Sequence, residues 1–160
     1  AYDLTQMIGP SNAVVREDEL WFYYTALKYR FGGKVRVDGK WVTARDFQAD
    51  RDSGAVCLAV LRRDGFISLD AGASAGSVET KPFILTGTRL LVNVNAGNGE
   101  LGVELLDAAG QVIARSASLT GDLLRAPVKW ATGDLTRFKG HQVSVRFTLR
   151  SAQFFSYWLE

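Results

Sequence analysis

Apolar and polar residues alternate along residues 142–150 (QVSVRFTLR), and this pattern restricts the segment to extended structure. Val143, Val145, Phe147 and Leu149 fall on one face, and polar residues fall on the other. An amphipathic helix would need apolar residues every three to four positions, and the sequence has no such run of useful length. A period of two is typical of a strand with one face in a core. Because the pattern recurs along the chain, we predict an all-β fold.

Glycine-containing turns divide the C-terminal half into short predicted strands. Residues 90–96 and 101–105 flank Gly97-Asn98-Gly99, which predicts a hairpin, and a turn at 107–110 leads into a further strand over 111–116. Residues 119–126 lack regular alternation and are predicted to be irregular. Asp134 is placed to cap a single helical turn over 136–138. We predict a jelly-roll-like β-sandwich over residues 73–160.

The last strand of the sandwich segment and one strand in the first seventy residues are apolar on both faces. The last strand, 154–159, is therefore predicted to be central and covered. Over residues 1–72 we predict a blade-like antiparallel sheet made of two hairpins, 12–16 with 19–27 and 55–61 with 66–69. Because residues 19–27 (ELWFYYTAL) are apolar on both faces, Trp21 and Tyr23 are predicted to lie in the core.

Residues 28–54 form a predicted insertion between those two hairpins. Its centre, KVRVDGKWV, contains Asp38-Gly39, a pair suited to a two-residue type I′ turn. This turn places Arg36 opposite Trp41 on one face and Val35 opposite Val42 on the other. The polar stretch 44–53 is predicted to be a loop. The insertion is therefore expected to project a tryptophan from the framework.

Composition excludes several classes of function. The formal net charge is +2 and the basic residues are scattered, which argues against nucleic acid and against an anionic membrane as partners. The single His141 makes a zinc site or a Ser-His-Asp triad improbable, and the single Cys57 lies in an apolar run where an inert core thiol is expected. The first residue is Ala1, which suggests an excised or processed piece, and the sequence leaves its compartment, secreted or not, open.

Three segments carry a resemblance to a known family: residues 18–24 (DELWFYY), 61–70 (LRRDGFISLD) and 143–150 (VSVRFTLR). They resemble the C-terminal region of glycoside hydrolase family 32/43-like proteins, in which a five-bladed β-propeller is followed by a β-sandwich. The resemblance implies a carbohydrate-active parent whose catalytic propeller lies upstream and is a partner of this region. Since the catalytic carboxylates of that family lie in earlier blades, we predict no catalytic residue and no enzymatic activity for this chain alone.

Sugar binding requires an exposed aromatic ring beside polar groups, because a pyranose stacks its C–H face and hydrogen-bonds through its hydroxyls. Trp41 is the first candidate, since it stands among Lys34, Arg36, Lys40 and Arg45 on the predicted hairpin. The open alternative is that Trp41 contacts the upstream propeller. The predicted ligand-binding residues are Trp41, Arg36, Tyr29 and Trp130.

Acidic residues concentrate at predicted turns, where turn chemistry accounts for them without catalysis. A structural calcium ion would need six to eight oxygens. Asp70 with Glu79, or Asp122 with Asp134, would contribute to such a site, but the sequence has no contiguous acidic loop. We therefore predict no cofactor and no metal site, with structural calcium as the alternative.

These observations predict a noncatalytic carbohydrate-binding or carbohydrate-associated module that binds plant or microbial polysaccharide by aromatic stacking. Two alternatives stay open. The chain is a purely structural domain that stabilises a glycosidase propeller, or it forms part of the rim of a hydrolase active site.

Overall fold

A computed structural model describes residues 1–3, 6–10, 12–28, 34–43 and 54–160, which separate into two compact units, Ala1–Leu61 and Arg62–Glu160. The strands of the first unit are β1 (Gln6–Ile8), β2 (Val14–Arg16), β3 (Glu19–Leu27), β4 (Lys34–Val37), β5 (Lys40–Thr43) and β6 (Gly54–Arg62). The strands of the second unit are β7 (Leu69–Ala71), β8 (Gly76–Glu79), β9 (Phe83–Ile84), β10 (Leu90–Asp107), β11 (Val112–Ser116), β12 (Leu119–Pro127), β13 (Trp130–Thr132), β14 (Gln142–Arg150) and β15 (Ala152–Leu159).

The fold class is all-β, which confirms the prediction from alternation. The described residues contain one 3-10 helix, Leu135–Phe138, and no α-helix. As predicted, Asp134 caps this turn: its side chain accepts a hydrogen bond from the backbone N–H of Thr136. Within this described part of the chain, no helix has the length and apolarity needed to cross a membrane.

The first unit contains a four-stranded sheet built on β3. β1 and β2 pair antiparallel with opposite ends of β3, and β6 also pairs with β3. The hairpin predicted from residues 12–16 and 19–27 is confirmed, with Glu17 at a φ of 54° in its turn. The predicted pairing of 55–61 with 66–69 is wrong, because Leu69–Ala71 pairs with β15 of the second unit. The division of the chain into two units falls between Leu61 and Arg62, whereas the sequence-based boundary lies at 72/73.

The hairpin β4–β5 forms a separate two-stranded sheet with the predicted register. Asp38 and Gly39 have φ values of 48° and 78°, as a type I′ turn requires. Arg36 pairs with Trp41, and Val35 pairs with Val42. The local sequence determines this hairpin because the turn chemistry and the cross-strand pairing agree.

The second unit is organised by β10, a single strand of 18 residues where the sequence predicts a hairpin. Val92, Val94 and Ala96 face the core in its first half, and Leu101 begins the inward-facing set in its second half. Residues 96 and 101 are separated by an odd number of positions, so strict alternation would place them on opposite faces of the strand. Both face the core, and the strand must therefore be irregular between them. The register with β12 shifts at this point. Gly97-Asn98-Gly99 therefore bends one strand and does not reverse the chain.

Close approach of the backbone explains the glycine at position 99. A Cβ atom there would overlap the carbonyl oxygens of Arg150 and Ser151, at the junction of β14 and β15. β14 pairs with the second half of β10, and β15 pairs with the first half. The β14–β15 junction therefore lies beside the bend of β10.

The bent sheet encloses one core, as a β-sandwich does. Phe147 of β14 is 1% exposed and stacks on Phe154 of β15 with ring centroids 4.5 Å apart, and Tyr157 lies 5.1 Å from it. The inward set predicted for residues 142–150 is confirmed. Residues 119–126, predicted to be irregular, lie in β12, because Gly121 at a φ of 94° and a register shift in the ladder accommodate the uneven pattern. The jelly-roll strand order stays a prediction.

The last strand, β15, is paired on both edges, by β10 and β7, as predicted for a central strand. Its outer aromatic rings are covered by guanidinium groups. The Arg62 guanidinium lies 4.1 Å from the Phe155 ring centroid, and that of Arg125 lies 5.7 Å from the Trp158 centroid. Long cationic side chains thus shield apolar rings while keeping their charge near water.

Candidate functional site

One face of the β4–β5 hairpin displays a tryptophan beside cationic side chains. Alternation places Lys34 and Arg36 of β4 on the same face as Trp41 and Thr43 of β5, given the Arg36–Trp41 pairing. Lys34 and Arg36 are exposed, and Trp41 is 68% exposed. Val37 and Val42, on the opposite face, are half-buried. The hairpin therefore has an aromatic, cationic face and an apolar face.

The cations of this hairpin have few partners among the residues that the structure describes. Arg36 donates from Nε to the carbonyl oxygen of Gly39 at 3.4 Å, and within residues 34–43 and the other described ranges its two terminal nitrogens have no hydrogen-bond partner. In the part of the chain that the structure describes, no carboxylate forms an ion pair with Lys34, Arg36 or Lys40. Anionic or hydroxyl-rich groups of a ligand can take those positions.

Two further residues, Tyr29 and Trp130, were predicted to bind the ligand. Tyr29 and Arg45 lie outside the described residues, as does the predicted loop 44–53. Trp130 is in β13 of the second unit, where it pairs with Ser116, is half-buried and packs against the core cluster. Much of its ring surface therefore serves the fold of the second unit.

The four-stranded sheet exposes an apolar face that the sequence predicted to be covered. Tyr23 is 49% exposed, so the prediction of a core position for it is wrong, and Trp21 is half-buried. Alternation and the pairings of β1 and β2 with β3 place Ile8 and Val14 on the face of Tyr23. The exposed large apolar residues of this face are Ile8, Val14, Tyr23, Val56, Leu58 and Val60.

Tyr24 and Cys57 establish which face of β6 lies beside Tyr23. The Tyr24 hydroxyl and the Cys57 thiol interact, so these side chains share the other face of the sheet; burial, followed by the proximity of Cys57, raises the pKa of Tyr24. Val56 and Leu58 therefore lie on the face of Tyr23. Cys57 is half-buried, in place of the fully buried position that its apolar run predicts.

Charged side chains lie around Trp21 at one end of this apolar face. Trp21 donates from Nε1 to the Glu19 carboxylate at 2.6 Å and lies edge-on to Tyr23, with centroids 6.3 Å apart. The Arg16 guanidinium covers the Trp21 ring at 4.5 Å. Trp21 is thus covered on one side by a protein cation, whereas no cation from the described ranges of the chain lies over the Trp41 ring.

A shallow polar depression lies at the bend of β10 in the second unit, and sequence reasoning missed it. It has a volume of about 220 Å³ and is lined by Asp70, Ala71, Asn95, Asn98, Ser151, Ala152 and Gln153. Its amides can hydrogen-bond to hydroxyls, but its lining has no aromatic ring on which a sugar would stack. The signal in the sequence is Gly97-Asn98-Gly99, which looks like an ordinary turn.

The carboxylates considered for calcium have protein partners instead. Gln153 donates to Asp70 at 3.3 Å, Arg146 pairs with Glu79 at 3.0 Å, and Arg62 pairs with Asp122 at 2.8 Å. The fourth, Asp134, caps the 3-10 helix. Among the described residues, no three His, Cys, Asp or Glu side chains form a group that would hold a metal ion.

Glu100, a half-buried acid near the bend, also has protein partners. Its carboxylate accepts a hydrogen bond from the Ser118 hydroxyl at 2.7 Å and pairs with Arg150. These two interactions lower the pKa of Glu100. A carboxylate kept ionised in this way is unsuited to the general-acid role of a glycosidase.

Comparison of the chain with family models, curated proteins and solved structures finds no match. The resemblance to the C-terminal region of propeller glycoside hydrolases therefore stays a prediction from residues 18–24, 61–70 and 143–150.

Proposed function

We propose that the protein is a noncatalytic carbohydrate-binding module that holds a polysaccharide on the Trp41 face of the β4–β5 hairpin. The observation that carries this proposal is the 68% exposure of Trp41 with Arg36 directly across the strand pair. An exposed indole beside a guanidinium offers a stacking surface and a hydrogen-bond donor to the same ligand.

The expected mode of binding is stacking plus hydrogen bonding. The apolar face of a pyranose ring packs on the indole, and the Arg36 guanidinium donates to a ring substituent. The surface is open on one side, so the affinity of one site is weak, about −4 kcal/mol or a dissociation constant near the millimolar range. Several modules, or a second domain of the parent, would raise the avidity.

Titration with soluble oligosaccharides tests this proposal. Xylan, fructan, cellulose and arabinan fragments are added to the protein, and binding is followed by calorimetry and by tryptophan fluorescence. Trp41→Ala is expected to abolish binding, whereas Phe66→Ala, which removes an exposed aromatic ring from the second unit, leaves binding unchanged. Binding that survives Trp41→Ala would overturn the proposal, as would the absence of binding to every carbohydrate tested, including acidic ones.

A structural role is the second candidate, and the exposed apolar face of the four-stranded sheet favours it. The face has the composition of the inner layer of a sandwich, and the partner with matching chemistry is another β-sheet of the parent protein. In this reading the face that contains Tyr23 and Val56 is an interface.

Light scattering distinguishes this second role. The isolated chain is expected to self-associate through the exposed face, and Val56→Lys, at a side chain 76% exposed, should reduce that association without unfolding the sheet. Lys81→Gln in the second unit is the control. A strictly monomeric chain at high concentration would count against the structural role.

A further inference from the structure

The Trp41 face differs from the surfaces around Trp21 and Phe155 in how its cations are placed. On the sheet surface, Arg16 lies over the Trp21 ring at 4.5 Å, and in the second unit Arg62 lies over Phe155 at 4.1 Å. Among the described residues, no cation stacks on the Trp41 ring, although Arg36 is its cross-strand partner. The indole face and the guanidinium are therefore both available to the same ligand.

The register places a second cation within reach of that ligand. Arg36 is directly opposite Trp41, so their Cβ atoms are about 4.5–5.5 Å apart, and Lys34 is diagonal to Trp41 at about 7–8 Å. Long side chains extend further than these separations. Lys34 and Arg36 thus form one cationic edge beside the ring, and the described part of the chain supplies no carboxylate to neutralise it.

We infer that the ligand of this face is an acidic polysaccharide whose sugar rings carry carboxylates, that is, a polyuronate. The inference rests on the proposed function and specifies its ligand class. The pyranose ring stacks on Trp41 while its carboxylate accepts a bidentate pair of hydrogen bonds from the terminal nitrogens of Arg36. Lys34 pairs with the carboxylate of the neighbouring sugar. A neutral polysaccharide would leave both cations without a counter-charge.

Single-stranded nucleic acid also combines a stacking base with anionic groups. The chain has a formal net charge of only +2, with 19 basic and 17 acidic residues, and the face supplies two cations beside one ring. Sequence-independent binding to a phosphate backbone depends on many such contacts along a groove. The observations therefore favour the polyuronate, and an oligonucleotide is included as a competitor in the test.

The experiment uses a pair of ligands that differ only in charge. An oligogalacturonate and its methyl ester are titrated into the full chain by calorimetry at low salt. We expect the free acid to bind about tenfold more tightly than the ester, and the difference to shrink as salt screens the charges.

Four variants separate the contribution of stacking from that of charge. Arg36→Gln should weaken binding of the free acid by about tenfold, and Lys34→Gln by about threefold, while neither changes binding of the ester. Trp41→Ala should abolish binding of both ligands, and Trp41→Phe should keep a measurable fraction of it. Lys81→Gln, an exposed cation in the second unit, serves as the control and should have no effect.

Each outcome decides between the inferences. Equal binding of acid and ester, or of neutral fragments alone, overturns the polyuronate inference and leaves the proposed function standing. No binding of any carbohydrate overturns both. Tighter binding of an oligonucleotide of equal charge, or acid binding that is insensitive to Trp41→Ala, also overturns the polyuronate inference.

Discussion

The two units of this chain use similar residues in opposite ways. The second unit buries its aromatic and aliphatic side chains between the halves of a bent sheet, as Phe147 and Phe154 do. In the first unit, Ala26 is the only buried hydrophobic residue among those described, and Tyr23 and Val56 are exposed. Apolar composition therefore does not reveal by itself whether a strand serves a core or a surface.

The difference follows from the number of layers. A sheet buries one face only when a second layer packs on it, and the nine-stranded sheet of the second unit, bent along β10, encloses its own core. The described sheet of the first unit has apolar residues on two faces, and the face of Tyr23 is open. Stability should thus reside in the second unit, and recognition in the first.

The largest expected effect is on the core of the second unit. Phe147→Ala removes a ring that is 1% exposed and should lower the free energy of unfolding by about 3–5 kcal/mol. Tyr23→Ala, on the open face, should change it by about 0.5 kcal/mol or less. Urea denaturation followed by circular dichroism measures both. Equal losses would show that the two units are equally dependent on their aromatic residues.

The bend of β10 should be the next most sensitive point. Gly99→Ala places a methyl group against the carbonyls of Arg150 and Ser151 and should cost about 1–3 kcal/mol. Gly102→Ala is the matched control on the same strand, since the nearest atom to its new methyl group is the Thr148 oxygen at 3.9 Å. Thermal unfolding compares the two variants. Similar melting temperatures would mean that the strand does not need its close approach at 99.

One cation–π pair in each unit allows a comparison in which smaller losses of stability are expected. Arg62 is 14% exposed in its side chain, covers Phe155 and pairs with Asp122, so Arg62→Gln should destabilise the protein by about 1–2 kcal/mol. Arg16→Gln removes a more exposed pair with Trp21 and should cost about 0.5 kcal/mol or less. Urea midpoints measure the two losses. A larger loss for Arg16→Gln would reverse the assignment of stability to the second unit.

The smallest expected effect is a loss of stability at acid pH, which originates at Asp134 in the second unit. Hydrogen bonds from the Thr136 backbone and hydroxyl lower the pKa of Asp134. The folded state therefore favours the carboxylate: its contribution is complete above the ordinary Asp pKa of about 3.9 and is lost as pH falls through the lower folded value. Asp134→Asn keeps a capping oxygen but does not titrate. The difference in urea midpoint between wild type and variant should narrow from pH 7 to pH 3, and a constant difference would contradict this account.

Local signals in the sequence predicted the elements whose partners are nearby. The Asp38-Gly39 turn and the pairing of Arg36 with Trp41 are confirmed, as is the cap at Asp134. Each depends on a few neighbouring residues whose chemistry permits one conformation. The exposed face of Trp41 followed from the same short segment.

Non-local packing decided the features that the sequence did not reveal. Gly97-Asn98-Gly99 has the composition of a reversing turn, and only the strands on both sides of β10 show that the chain continues through it. Residues 66–69 follow a turn closely, yet Leu69–Ala71 pairs with a strand that lies about eighty residues later. Because β3 is apolar on both faces, the sequence predicted that both faces are covered. Whether another layer packs on the Tyr23 face depends on distant parts of the chain, and no residue near Tyr23 indicates it.

The central claim is that recognition takes place on the free ring of Trp41. The chain has four tryptophans, and their indole N–H groups give separate signals in a two-dimensional ¹H–¹⁵N spectrum, which Trp41→Phe assigns. Titration with an oligogalacturonate should shift the Trp41 signal selectively and leave those of Trp21, Trp130 and Trp158 in place. A shift centred on Trp21, or no shift of Trp41 at saturating ligand, would contradict the account.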